Sequence, residues 1–180
     1  TAQVNLLDEN GNPTETNVPL TFYNDFTGVA KYNYIHTMNA YGNPDTMVID
    51  PVLSYKVVAH TIPPVSVDNV ILTPGKHTII PLETPQGKLM INMNAKVKYQ
   101  CIVRPAGVDT TLTVQKINEN IKYIIGKYDV EILTLPRTKF KDVEVTQNGN
   151  TKYSIPSPGL ANILLPSKGY GGVFVHRGDK

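Results

Sequence analysis

The 180-residue sequence predicts an all-β fold of tandem antiparallel β-sandwiches, and three observations carry that expectation. Fourteen Pro and thirteen Gly punctuate the chain at short intervals. Val, Ile, Thr and Tyr, which suit a pleated and half-buried surface, fill the stretches between them. The chain also resembles itself when laid over itself about 70 residues on, a period that suits one small sandwich and is too long for a solenoid unit.

The elements can be justified in order. Leu6-Leu7 runs into Asp8-Glu9-Asn10-Gly11-Asn12-Pro13, where Asn-Gly tolerates positive φ and Pro13 forbids a helix, so a strand ends in a turn. The aromatic-rich stretch from Phe22 to Tyr41 has no counterpart at the repeat offset. Ser54 to Pro64 is an alternating strand that closes on Thr61-Ile62-Pro63. Between Val114 and Ile125 two readings stay open. Val114, Ile117, Ile121 and Ile124 fit a helical stripe, while Ile121-Lys122-Tyr123-Ile124-Ile125 is also a good strand. From Asp142 to Ile155 two alternating runs flank Asn148-Gly149, the strongest short-range hairpin signal.

The repeat takes Tyr55 onto Tyr128, an offset of 73, and with it Val57 onto Val130, Thr61 onto Thr134, Pro63 onto Pro136, Val70 onto Val143, Thr78 onto Thr151 and Pro85 onto Pro158. Ile62 with Leu135 is a similar pair, whereas Val58 with Glu131 is a mismatch. Past one deletion the offset becomes 72, and Gly87 falls on Gly159, Ile91 on Ile163, Lys96 on Lys168 and Val103 on Val175. The expected division is therefore a sandwich over 1–86, a second over 87–158, and a segment over 159–180 that either starts a third module or closes the second. Val57, Ala59, Val70, Leu72, Val130, Ile132, Val143 and Val145 should fill the cores, where apolar burial stabilises at ~25 cal/mol per Å².

These residues also carry a resemblance. Ser54-Tyr55-Lys56-Val57-Val58-Ala59-His60-Thr61-Ile62-Pro63-Pro64, with Val70-Ile71-Leu72-Thr73-Pro74-Gly75-Lys76-His77-Thr78, resembles the region that follows the von Willebrand factor A domain in large envelope proteins of Bacteroidetes-type bacteria. Gly126-Lys127-Tyr128-Asp129-Val130-Glu131-Ile132-Leu133-Thr134-Leu135-Pro136-Arg137 resembles the matching stretch one module later. The Gly-x-Tyr-x-Val strand is similar to PEGA and carboxypeptidase-regulatory-like modules, which implies sandwiches of the prealbumin or immunoglobulin type. The resemblance implies a bacterial periplasmic or cell-surface location, other domains of a parent chain as partners, and no catalytic residues. The Asp-x-Ser-x-Ser metal-adhesion motif of an A domain is absent from the sequence.

No other motif supplies chemistry. Cys101 is the single cysteine, so no internal disulfide is possible, and its alternation with apolar neighbours marks a core thiol. His36, His60, His77 and His176 never recur at metal-ligand spacing. Asp8-Glu9-Asn10-Gly11-Asn12 offers alternate oxygens as a calcium loop does, but Pro13 stands where such a loop needs glycine, and a turn explains the same residues. Gly169-Tyr170-Gly171-Gly172 precedes Val173-Phe174-Val175, which reads as a strand and not as the helix a phosphate cradle needs. Ser54, Ser66, Ser154, Ser157 and Ser167 lack a nucleophile-elbow setting. Lysines alternate with apolar residues, as in Lys96-Val97-Lys98 and Lys139-Phe140-Lys141, which lines solvent faces and guards sheet edges. An internal crosslink from a Lys to an Asn or Asp is the functional alternative for them.

A net charge of +2, from 17 basic and 15 acidic side chains, gives no basic stripe for nucleic acid. The longest apolar runs, such as Ile163-Leu164-Leu165, fall far short of the ~20 residues that span a bilayer. Thr1 opens the chain with neither an initiator Met nor a signal-peptide pattern, as expected of a piece of something longer. The expectation for function is a non-enzymatic structural or interaction module that spaces or presents an adhesive A domain, without metal or cofactor. The alternative is a ligand-binding module for a glycan or protein, using Tyr32, Tyr34 and Tyr41 as a stacking platform.

Overall fold

The structure, a computed structural model, describes residues 1–94, 98–156, 159, 162–172 and 174. The described residues are all-β. The first sandwich holds β1 (Ala2–Leu7), β2 (Val18–Asn24), β3 (Ala30–His36), β4 (Thr46–Met47), β5 (Ser54–Ala59), β6 (Val65–Ile71) and β7 (Thr78–Glu83). The second holds β8 (Gln86–Met93), β9 (Gln100–Pro105), β10 (Thr113–Lys116), β11 (Asn120–Ile124), β12 (Gly126–Ile132), β13 (Thr138–Val145) and β14 (Asn150–Ile155). A three-stranded sheet ordered β4-β1-β7 packs on a four-stranded sheet ordered β3-β2-β5-β6, and the second sandwich repeats this as β11-β8-β14 on β10-β9-β12-β13.

One pair in each sandwich departs from the antiparallel expectation: β1 runs parallel to β7, and β8 to β14. The chain reverses direction at each of the six connections between the first strand and the seventh, so the two point the same way when they meet. All other pairings are antiparallel.

Alternation along the strands builds the two interiors. Val57, Ala59, Leu72, Val130, Ile132, Val143 and Val145 are buried, and Val70 packs against the first core from a partly buried position. Tyr55 and Tyr128 sit at matching places, each a buried ring whose hydroxyl needs a partner. Tyr55 Oη donates to the Asp50 carbonyl at 2.8 Å, and Tyr128 Oη to that of Ile124 at 2.7 Å. Beside each, the ladder slips by one residue at a bulge, opposite Asn69 in the first copy and Asp142 in the second, at φ 56° and 53°. The turns that follow also match: Ile62-Pro63 and Leu135-Pro136 are both cis, and Thr61 Oγ1 and Thr134 Oγ1 donate to the carbonyls of Pro63 and Pro136.

Two local expectations are corrected, and one open reading resolves in favour of strands. The Asn148-Gly149 turn is present, with Asn148 at φ 54°, but its flanks are not a hairpin. β13 pairs with β12, while β14 crosses to pair with β8 in the facing sheet. Gly87 makes that crossing possible, since a Cβ there would lie 2.1 Å from the Thr146 carbonyl oxygen. Between Val114 and Ile125 the chain forms β10 and β11 around a turn with Asn118 at φ 68°. The inward residues are Gln115 and Tyr123, and Val114 of the supposed stripe is 50% exposed.

Finally, the Phe22–Tyr41 stretch does have a counterpart. Phe22 pairs with Val57 as Val103 pairs with Val130, so β2 and β3 correspond to β9 and β10. Of the C-terminal segment, the described residues in 159–172 form no strand.

Candidate functional site

The richest meeting of polar groups lies where the sandwiches join. Thr84-Pro85 links β7 to β8 and is tied on both sides: Thr84 N–H donates to the Leu7 carbonyl, and Ile125 N–H to that of Pro85, both at 2.9 Å. Ile62, carried on the turn after β5, packs against the core of the second sandwich, and its carbonyl accepts the Ile124 N–H at 2.7 Å. Glu9 N–H donates to Gln147 Oε1 at 2.7 Å. Lys122 Nζ stands 3.0 Å from Oε2 of the buried Glu15. A cleft of about 430 Å³ opens here, lined by Glu15, Gln86, Lys122 and Asn148 among others. The buried Gln86 Nε2 has no hydrogen-bond partner among the described residues. One paired ammonium, its carboxylate and an amide can fasten two bodies or hold a polar group; they form no nucleophile with a base.

The Asp8–Asn12 stretch borders this junction as a turn held by its own carboxylate. Asp8 Oδ1 accepts the N–H groups of Asn10 and Asn12, each at 2.8 Å. The Asn12 N–H, with that of Asn10 beside it, holds the Asp8 carboxyl below its usual range.

A second polar cluster escaped the sequence reading. Glu131, buried on β12, meets Arg104 Nη1 at 2.9 Å, Arg137 Nη1 at 3.1 Å and Lys139 Nζ at 3.7 Å. The hydrogen bond from Arg104, then that from Arg137, lowers the Glu131 pKa. The signal was present in the repeat, because Val58 against Glu131 replaces an apolar residue with a carboxylate in a strand whose inward positions match. Nearby, Asp129 is held below its usual range by the N–H groups of Gly107 and Asp142.

The remaining candidates are dispersed. Cys101 is fully buried, its thiol pushed up to about 11 by burial, and Sγ lies 3.5 Å from the Gln115 carbonyl. Gln115 itself is a buried clasp: Nε2 donates to the carbonyls of Leu89 and Glu119, and Oε1 accepts Tyr123 Oη at 2.9 Å. His36 is buried with Nε2 3.0 Å from the Val4 carbonyl, and burial lowers its pKa. His60 pairs with Thr21 and His77 with Thr1, while His176 lies outside the described residues.

Tyr32 and Tyr34 stack at 6.3 Å and lean on Tyr55 and Phe22, so both support the first core. Tyr41 is exposed in the loop between β3 and β4 and makes no ring contact with Tyr32 or Tyr34. Ser54 Oγ donates to Asp25 Oδ2 at 3.4 Å. Ser157, and the Val173 and Val175 that were to follow the glycines at 169–172, are outside the described residues. Lys139 and Lys141 are exposed about a half-buried Phe140. Lys56 lies 3.0 Å from Asp68, with both side chains about half exposed. Among the described residues no group of three His, Cys, Asp or Glu is arranged to hold a metal ion, and no helix is long and apolar enough to cross a membrane.

No protein-family model and no curated protein matches the sequence. Among solved structures, the Bacillus anthracis TIE protein is similar over 86% of this chain and 33% of its own length, at 14% identity and a TM-score of 0.34. The chain thus spans about a third of that protein.

Proposed function

We propose that the chain is a non-enzymatic spacer and interaction segment of a bacterial envelope or surface protein, holding a separate adhesive domain of the von Willebrand A type away from its attachment. The placement in the envelope and the adhesive cargo rest on the sequence resemblance. The spacer role is supported by one observation above the others: the two-residue link Thr84-Pro85 is hydrogen-bonded into both sandwiches, and Ile62, Glu9 and Glu15 add three further ties across the joint. A joint so fastened transmits position, where a free linker would let two modules tumble separately. Among the described residues the buried phenols, thiol and glutamine all serve packing.

Small-angle scattering tests this reading. A single compact body of 180 residues has a radius of gyration of about 16 Å. The spacer requires a larger value and an extended distance distribution that fits one fixed arrangement. A spherical profile, or one that needs a broad ensemble of inter-module angles, overturns it.

A further inference from the structure

We infer that the turn at Leu135 is a docking seat for a third sandwich of the same topology, one to which the apolar run at 163–165 of this chain belongs. The inference rests on the spacer reading and extends it to a specific contact.

Its basis is an internal control. Ile62 and Leu135 occupy the same place in the two sandwiches, each on a turn closed by the preceding Thr hydroxyl bonding to the following Pro carbonyl. Ile62 is partly buried, because the second sandwich brings its core against that side chain and the Ile124 N–H to its carbonyl. Among the described residues nothing covers Leu135, which is 99% exposed. The same turn with a similar apolar residue is therefore a used contact in one copy and a bare one in the next.

The chain beyond supplies the matching half. Ile163 and Leu165 correspond in the repeat to Ile91 and Met93, which are 0% and 3% exposed inside β8. Ile163 and Leu165 are 69% and 57% exposed, and Leu164 between them 95%. Two apolar features, a seat and the run Ile163-Leu164-Leu165, stand uncovered in succession, and both are covered if the first junction is repeated. Large apolar side chains gathered in this way mark a contact surface. A free second copy would bind here weakly, since the first junction is made at the high effective concentration that a two-residue link imposes.

The test places a known receiver on the seat. Residues 1–158 are followed directly by 87–180, so that a second copy of the second sandwich begins at the position of Gly159. Leu135→Cys is introduced into this chain and into the 1–180 chain, and thiol labelling is timed at neutral pH. Cys101 is silent in both, being buried with a raised pKa. Labelling of Leu135→Cys should slow at least ten-fold in the extended chain, while a control cysteine at the exposed Lys31 keeps its rate. Equal rates at position 135 in a folded extended chain overturn the seat, and leave the two-module spacer standing if scattering still shows a fixed joint. Should the extended chain not fold, the 86–155 sandwich, which has its own core, is added at millimolar concentration to the 1–180 chain. Resonance shifts confined to the Leu135 turn then support the seat, and their absence overturns it.

Discussion

Raising the pH should melt the second sandwich before the first, although both have the same architecture. The unfolded thiol and phenol ionise near 9.0 and 10.0, whereas burial moves Cys101 to about 11 and Tyr55 and Tyr128 to about 12. Each group is neutral in the fold, so the stability it lends is whole below its unfolded pKa and drains away as the pH climbs toward the folded one. Between pH 8 and 11 that linkage removes about 2 kcal/mol through Cys101 and about 1 kcal/mol through each of Tyr55 and Tyr128. The second sandwich therefore loses about 3 kcal/mol, with Tyr123 adding in the same direction, and the first about 1, with Tyr34 adding to it. A module of ~80 residues has only about 4–12 kcal/mol in total. Urea unfolding followed by far-ultraviolet circular dichroism at pH 8 and 11, with Cys101 labelling to report opening of the second sandwich, measures the difference. Cys101→Val keeps an apolar core residue and removes the titration, so its own loss between the two pH values should shrink by about 2 kcal/mol. A variant that loses as much as the parent would refute the linkage.

Three further outcomes follow from the packing. Gly87→Ala should cost about 2–3 kcal/mol or more, since its Cβ meets a backbone oxygen and not a side chain that could swing aside, while Gly159→Ala, with nothing near it, should leave the melting temperature unchanged. Tyr128→Phe strands the Ile124 carbonyl and should lower stability by about 1–3 kcal/mol in chemical denaturation, with Tyr55→Phe doing the same to the first sandwich. Glu131→Gln should cost about 1 kcal/mol, because Arg137 and Lys139 are more than half exposed and water screens them. It should also flatten the acid limb, where the lowered Glu131 pKa makes stability present above 4.5 fall away as the pH drops through the folded value.

How far the sequence was legible depends on where the loops differ in length. From Tyr55 to Pro85 the two copies run without insertion, so the offset of 73 shows the strands, the bulge and the Thr-apolar-Pro turn directly. Upstream, the connections after β1 and after β3 are longer in the first copy, and the register that pairs Phe22 with Val103 and Val4 with Ile91 is hidden from a single-offset comparison. Asn148-Gly149 announces a reversal but says nothing of which sheet receives the next strand; that is decided by Gly87, sixty residues earlier in the chain, letting β8 close on the corner. A polar Gln115 followed by Lys116 reads as solvent-facing, and only its three bonds explain its burial. The junction was the least legible feature. Ile62 and Leu135 are equally apolar in sequence, and nothing local distinguishes the one that is covered from the one that is not.

The parallel pairing of the first and last strands has a mechanical consequence. Because β1 and β7 point the same way, the polypeptide enters a sandwich at one pole and leaves at the other, and tension on the backbone drags the two strands along each other. The six residue pairs of each such ladder then resist together in shear, where an antiparallel first and last strand would unzip one bond at a time. A protein assembled from such units carries a pull along its length through the strongest direction of each.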